Sequence, residues 1–312
     1  MILSTGVIRA IARSHPTITL DVLASPANAA VLEGADYVAQ VIVFDRRRLT
    51  SYASTIRRLR RARYDAVIDC MVTSPSLTTL LLMLASGARH RIGIAGRGND
   101  AAFDVTVPAA PRTDAHMIER IGALAAAFDV SCASVDCAPV LTLSAEEQGR
   151  GEAAWRRAPG DGRRVLINVS AGMRNRLWPD ERYVAVMRHL RAREPGSRLL
   201  VIAAPNEGAR AAAIAHDGGG VHVPTPTLRD VFALVASADL VFTPDTSVSH
   251  AATALKRPCI TMYIAGTITD WGLYGTRGVL VDHPEPTLES LSAERMIDAV
   301  EEMLTTSANG VC

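Results

Sequence analysis

Short apolar runs alternate along almost the whole chain with segments in which apolar residues recur every three or four positions. The runs are typical of buried parallel strands, and the longer segments are typical of amphipathic helices. This alternation predicts an α/β fold with helical crossovers. The predicted strands are residues 17–23, 39–44, 66–70, 91–94, 165–169, 199–203, 221–223, 240–242 and 259–263. The predicted helices are residues 2–13, 26–33, 49–61, 76–85, 115–128, 179–193, 228–236, 248–255 and 293–304.

The strongest interruption of this pattern lies mid-chain, at Pro159-Gly160-Asp161-Gly162. Because 312 residues suffice for two domains and both halves repeat the alternation, we predict Rossmann-like domains over residues 1–150 and 151–312, facing a cleft. Helix signals begin at Ile2, whereas a parallel-sheet domain usually opens on a central strand. The first domain is therefore predicted to lack its first strand.

Composition narrows the class of protein. Apolar residues make up 48% of the chain, yet the longest apolar run is far shorter than a membrane span, and no signal peptide is apparent. The chain has 33 basic and 32 acidic residues, so it has no large positive net charge that would attract nucleic acid. The five cysteines contain no Cys-x-x-Cys pair. We therefore expect a soluble protein in a reducing compartment, with neither a disulfide framework nor a metal site.

Arginine is distributed unevenly, with clusters at residues 46–48, 57–63 and 89–97 in the first half. Such clusters are compatible with a solvated face. The alternative is a surface for an anionic substrate or a lipid headgroup.

Residues 240–250 combine a short apolar run, a polar loop and the start of a predicted helix. Thr246, Ser247 and His250 would share one face of that helix. The free N–H groups at a helix amino terminus suit a phosphate. An ordinary helix cap followed by a solvated histidine would use the same residue types, and both interpretations stay open for this stretch.

A second loop of this kind follows the first predicted strand of the second half. Ser170 and Gly172 would allow close backbone approach, and Arg174 and Arg176 could neutralise phosphate oxygens. The alternative is a solvated loop in which Trp178 is a packing anchor. Two such loops at the carboxyl edge of one sheet favour a ligand that carries a diphosphate.

Together the two loops resemble glycosyltransferase family nine, the lipopolysaccharide heptosyltransferases. The family has a small-residue loop ending in a basic residue before Trp-Pro, matched by Ser170 to Pro179, and an Asp-[Thr/Ser]-[Gly/Ser]-x-x-His signature, matched by Asp245 to His250. Residues 89–93, 116–120 and 271–275 add to the resemblance. It implies the glycosyltransferase B fold, with a final helix that would pack back on the first domain.

The resemblance also implies a set of donor-binding residues: Ser170, Gly172, Arg176, Glu207, Asp245, Thr246, Ser247 and His250. Arg176 would bind phosphate, and the hydroxyls of the two residues after Asp245 would donate to the diphosphate. Asp245 itself would organise the loop or bind a sugar hydroxyl, and His250 would contact the diphosphate or the donor sugar. Glu207 would bind the ribose, although an exposed turn glutamate is the commoner explanation.

The implied activity is inverting transfer of heptose from ADP-heptose to an anionic lipopolysaccharide inner-core acceptor, without a cofactor or a metal. The implied location is cytoplasmic, with peripheral contact at the inner membrane. A transferase or epimerase for another nucleotide sugar would fit the same loops.

One departure concerns the catalytic base. Members of the family open with a strand and Gly-Asp, and Met1 to Gly6 match the residues directly after that Asp. The expected catalytic Asp would precede Met1, and no catalytic residue is assigned within the chain. Either the start was placed at an internal Met, or the protein is a non-catalytic relative that binds a nucleotide sugar.

Overall fold

The computed structural model describes residues 1–73, 76–96, 98–110 and 115–308. It divides into two compact units, Met1–Thr142 and Leu143–Cys312. Both contain parallel strands joined by helices, which confirms the predicted α/β class. Among the described residues, no helix is both long and apolar enough to cross a membrane. Arg97, the end of the third arginine cluster, lies outside the described residues.

The secondary structure follows the predicted alternation. The helices are α1 (Thr5–Ser14), α2 (Pro26–Ala29), α3 (Leu49–Ala62), α4 (Leu77–Ser86), α5 (Met117–Gly122), α6 (Ala145–Ala154), α7 (Asp180–Arg193), α8 (Gly208–Asp217), α9 (Leu228–Ser237), α10 (Ser247–Ala254), α11 (Ile268–Trp271) and α12 (Ala293–Ala308). The strands are β1 (Asp21–Ala24), β2 (Gln40–Val43), β3 (Ala66–Ile68), β4 (His90–Ile94), β5 (Val105–Val107), β6 (Arg164–Asn168), β7 (Arg198–Ile202), β8 (Val221–His222), β9 (Leu240–Pro244), β10 (Cys259–Tyr263) and β11 (Gly278–Asp282).

The second unit is built on one six-stranded parallel sheet with the order β11-β10-β9-β6-β7-β8. Its first strand, β6, lies in the middle, and Ile167 of β6 pairs with Phe242 of β9. The chain leaves β6 toward one edge of the sheet and later returns to build the other half from β9. The loops after β6 and β9 therefore flank the switch point, where open α/β sheets bind ligands.

The first unit contains two separate parallel pieces, β1-β2 and β3-β4-β5. In the second unit, β6 lies between β7 and β9, the strands that correspond to β1 and β3. Within the described part of the first unit, no strand occupies this central place. The absence of a first strand stays a prediction, and this gap is where we expect such a strand to pair.

The division between the units comes earlier than the predicted boundary at residue 150. Helix α6, which the apolar pattern did not predict, packs against α9. Glu147 of α6 forms an ion pair with Arg229 of α9 at 2.6 Å, and the wholly buried Trp155 donates to Ser237 at 2.8 Å. These contacts place α6 in the second unit. The capping box of Ser144 and Glu147 was a local signal for this helix.

Four other elements were also missing from the prediction: β5, β11, α8 and α11. β5 has three residues and α11 has four, so both are too short to show a period, and α8 is rich in alanine, which is only weakly apolar. The last helix, α12, packs against α7, β10 and β11. Its buried face, including Met296 and Val300, belongs to the core of the second unit. Packing of this helix on the first domain stays a prediction.

The cysteine expectation was wrong for one pair. Cys132 and Cys137 form a disulfide, because a turn in which Ser134 and Val135 both donate to the Ser131 carbonyl brings the two cysteines together. Their Cα atoms are 5.4 Å apart. Disulfides persist in oxidising compartments and are rare in the cytosol. The cysteine pattern therefore no longer supports the cytoplasmic expectation.

Candidate functional site

The two loops singled out in the sequence meet at the switch point of the second sheet. The Arg176 side chain donates from Nη1 to the Asp245 carbonyl at 3.1 Å. The same nitrogen lies 2.9 Å from Asp245 Oδ2, within ion-pair distance although that oxygen accepts no hydrogen bond from the described residues. The prediction that residues 170–176 and 245–250 come together at one sheet edge is confirmed.

A buried amide that was not among the predicted site residues connects the two loops. Asn168, at the end of β6, donates from Nδ2 to the Ser170 carbonyl at 3.0 Å and to Thr243 Oγ1 at 2.9 Å. The same nitrogen lies 3.3 Å from Thr246 Oγ1. Since a buried amide must be hydrogen-bonded, Asn168 holds the loop after β6 against the loop after β9. The local signal was a polar residue ending an apolar strand.

Thr246 is the N-cap of α10, and its hydroxyl accepts from the Val248 N–H at 3.2 Å. The cap interpretation is therefore correct for this residue. Ser247 is the first helical residue, and it is exposed. Gly172 in the facing loop is also exposed, and a Cβ there would meet no protein atom within 4 Å. The exposed Ser247 and Gly172 thus border open space rather than packed protein, and the N–H groups at the start of α10 other than that of Val248 are placed to bind an anion.

Asp245 is the most buried carboxylate of the site, with 2% of its surface exposed. Burial raises its pKa to about 6, and the positive charge of Arg176 opposes this shift. Arg176 Nε is buried and has no hydrogen-bond partner among the described residues. Asp245 therefore orients Arg176 through its backbone carbonyl and its carboxylate, while 20% of the Arg176 side chain stays exposed, where an anion can reach it.

Glu207 is anchored rather than fully exposed. It accepts a short hydrogen bond from the Ser170 hydroxyl, which in turn accepts from the Ala204 N–H at 2.7 Å. Arg210 Nη1 lies 3.8 Å from the same Glu207 oxygen. The description of Glu207 as an ordinary exposed turn residue does not fit these contacts, which attach its carboxylate to the loop after β6.

His250 lies one turn into α10 and is partly exposed. Its ring centroid is 6.0 Å from that of Trp271, with 42° between the ring planes. Its backbone N–H donates to the Thr246 carbonyl at 3.4 Å. The histidine is therefore on the helix turn that begins at the cap, as the spacing predicted, and it is not a core residue.

Trp178 has the packing role that one interpretation gave it. It is 1% exposed, stacks edge to face with Tyr183 at a centroid distance of 4.8 Å, and donates to the Leu291 carbonyl at 2.8 Å. Arg174 is exposed, in contrast to Arg176. The tryptophan thus fixes the end of the loop, and only one of the two loop arginines turns toward Asp245.

Comparison with known proteins places this geometry in a family. The profile of glycosyltransferase family 9 (heptosyltransferase) matches residues 52–300. Lipopolysaccharide heptosyltransferase 1 of Escherichia coli K12 is 26% identical over 253 residues, which cover 78% of this chain and 75% of that protein.

Two solved structures share the fold over almost the whole chain. The family 9 glycosyl transferase of Veillonella parvula superposes with a TM-score of 0.83 at 14% identity, covering 98% of this chain and 93% of that one. Escherichia coli heptosyltransferase WaaC with ADP superposes with a TM-score of 0.74 at 20% identity, covering 97% and 95%. The family match includes both loops of the site and about four fifths of the chain. The chain therefore belongs to glycosyltransferase family 9, the heptosyltransferase family, and is a glycosyltransferase.

Proposed function

We propose that this glycosyltransferase moves heptose from ADP-heptose to an inner-core acceptor of lipopolysaccharide. The observation that carries the proposal is the contact of Arg176 with Asp245 beside the start of α10. This arrangement supplies a guanidinium and helix N–H groups at one point, which suits a diphosphate. The choice of heptose and ADP as the donor groups rests on the names of the matching relatives, which are a heptosyltransferase and a heptosyltransferase with ADP.

In the proposed reaction, an acceptor hydroxyl attacks the anomeric carbon of the donor while ADP leaves from the opposite face. Negative charge grows on the leaving phosphate during this step. Arg176 and the N–H groups of α10 would stabilise it, because their positions are set before the reaction by Asp245 and Asn168. Ser247 would add a hydroxyl donor at the helix start.

The remaining roles depend on position around this diphosphate site. Glu207 would bind the ribose hydroxyls, with its carboxylate oriented by Ser170. His250, which neighbours Trp271, would contact the donor sugar or the diphosphate. The arginine clusters of the first unit would attract an acceptor that carries phosphates and acidic sugars. The proposal includes reaction in the cytoplasm, at the inner face of the membrane, and this location rests on the family resemblance and not on the cysteines.

Replacement of Arg176 by Ala tests the donor site directly. We expect ADP affinity to fall by about 1.5–3 kcal/mol, because a charge-assisted contact to phosphate is lost. The matched control is Arg174→Ala, which removes an exposed arginine from the same loop and should change affinity little. Isothermal titration calorimetry with ADP measures both. Equal affinities for wild type and Arg176→Ala would contradict the assignment.

Replacement of His250 by Ala separates a binding role from a structural one. Because His250 is partly exposed, we expect the melting temperature to stay nearly unchanged while ADP-heptose affinity falls by about 1 kcal/mol. His216→Ala is the control, since that side chain is 89% exposed. Calorimetry and thermal unfolding on the same preparations decide the point. A large loss of stability without a change in affinity would make His250 a packing residue.

A further inference from the structure

Helix α4 in the first unit exposes leucines on one face. Leu77, Leu81 and Leu84 are 79%, 62% and 51% exposed, and their spacing of four and three residues puts them in one stripe. The opposite face of the helix, with Leu82 and Met83, is buried. Three large apolar side chains in a row on a surface mark an interaction site, because leaving them in water is unfavourable.

Helix α3 lies beside α4 and is strongly basic. Arg60 Nε donates to the Ala85 carbonyl at 2.9 Å, and Ala85 is one turn from Leu81 on α4. The exposed arginines of this helix and of the two loops nearby are Arg57, Arg58, Arg60, Arg61, Arg63 and Arg89. Neither helix contains an Asp or a Glu. The Arg60 head group therefore lies against the last turn of α4, and the basic helix packs beside the helix that carries the leucine stripe.

These arginines are weakly neutralised. Arg60, Arg63 and Arg89 line one open cavity near the carboxyl-terminal ends of the two helices. Asp65 also lines it and lies 3.9 Å from Arg89, but both side chains are largely exposed, at 87% and 77%. An exposed pair at this distance is screened by solvent and contributes little. The surface thus has a net positive charge beside an apolar stripe.

We propose that α3 and α4 form a docking surface for a membrane with anionic headgroups. The leucine stripe would enter the boundary between headgroups and acyl chains, and the arginines would bind lipid phosphates while their stems cover apolar surface. Charge complementarity selects this partner. A nucleic acid would use the arginines but not the leucines, and a purely apolar protein partner would not use the arginines. The inference goes beyond the proposed transfer and does not depend on it.

The test is flotation of the purified chain with vesicles of phosphatidylcholine, with and without phosphatidylglycerol. We expect binding only when phosphatidylglycerol is present. The variant Leu77→Ser/Leu81→Ser/Leu84→Ser should lower the partition coefficient by on the order of 100-fold. Arg57→Gln/Arg61→Gln should lower it roughly 20-fold, and this contribution alone should weaken as salt screens it.

Matched controls use the same residue types away from this surface. Ile18→Ser removes another exposed apolar side chain, and Arg156→Gln/Arg295→Gln removes two exposed arginines from the second unit. Both should bind vesicles like the wild type. Because all substituted side chains are exposed, the melting temperatures should be unchanged.

Three results would overturn the proposal. The first is equal partitioning of the wild type and the leucine variant. The second is equal loss of binding in the control variants, which would show a nonspecific effect of charge. The third is a dimer in solution that the leucine variant dissociates, together with no vesicle binding by the wild type. That last result would make the stripe an interface between protein chains.

Discussion

Extending the chain before Met1 with a strand that ends in Gly-Asp is expected to raise the rate of heptose transfer about 10²–10⁴-fold. This is the usual contribution of a general base, which here would take the proton from the acceptor hydroxyl. The added strand would also pair in the gap of the first unit, where β1 and β3 each have an unpaired edge among the described strands. We therefore expect a gain in the stability of the first unit as well.

One side-chain contact connects the two sides of this gap. The Tyr64 hydroxyl, which donates to Asp21 at 2.5 Å, ties the segment before β3 to the first residue of β1. The two edges are thus held near one another.

A second version of the extension, ending in Gly-Asn, separates chemistry from folding. It should restore pairing and solubility without restoring transfer, because an amide cannot accept the proton. Initial rates with ADP-heptose and a lipopolysaccharide precursor without heptose, together with thermal unfolding, give both readouts. Rapid transfer by the protein that begins at Met1 would contradict the expected position of the base. Asp21 and Asp69 would then be the carboxylates to replace.

Replacing Glu147 by Ala is expected to lower the free energy of unfolding by about 3–5 kcal/mol, since it removes the carboxylate that makes two hydrogen bonds with the buried guanidinium of Arg229. Both oxygens of Glu147 accept from Arg229 at 2.6 Å, and the side chains are 11% and 8% exposed. Glu147 Oε2 also accepts from the Ser144 N–H at 2.8 Å. The substitution therefore removes part of the cap of α6 as well.

The neighbouring Glu146 provides the control. Its side chain is 84% exposed and pairs with Arg150 on the surface, so Glu146→Ala should cost less than about 1 kcal/mol. The double variant Glu147→Leu/Arg229→Met removes both charges and should recover much of the loss. Urea unfolding measures all three variants. A cost for Glu147→Ala as small as that for Glu146→Ala would show that the buried pair is not stabilising the second unit.

Acid unfolding gives an independent view of the same pair. The hydrogen bonds from Arg229 lower the pKa of Glu147 from 4.5 to about 2. A carboxylate with a lowered pKa in the folded state stabilises that state above its unfolded pKa. This stabilisation is lost as the pH falls from about 4.5 to about 2. Glu147→Gln should therefore flatten the dependence of stability on pH within this range.

Most strands and helices, and both loops of the site, could be predicted from patterns of neighbouring residues in the sequence. The strand at residues 259–263 was predicted with the same first and last residues as in the structure. A run of five apolar and β-branched residues between polar segments is too short for a helix and is typical of a buried strand. Both loops of the site were found in the same way, since small and polar residues between a strand and a helix are a local pattern. Helix α6 was missed although Ser144 and Glu147 signal its start, because its apolar period is weak.

The through-space relations were decided only by the tertiary structure. The sequence could not show that Asn168 links Ser170 to Thr243, or that Arg176 rather than Arg174 meets Asp245. The sequence also could not show the burial that raises the pKa of Asp245, or the disulfide between Cys132 and Cys137. Periodicity and loop chemistry are properties of neighbouring residues. Contacts and burial depend instead on the order in which the strands pair, which brings β6 beside β9 although they are distant in the chain.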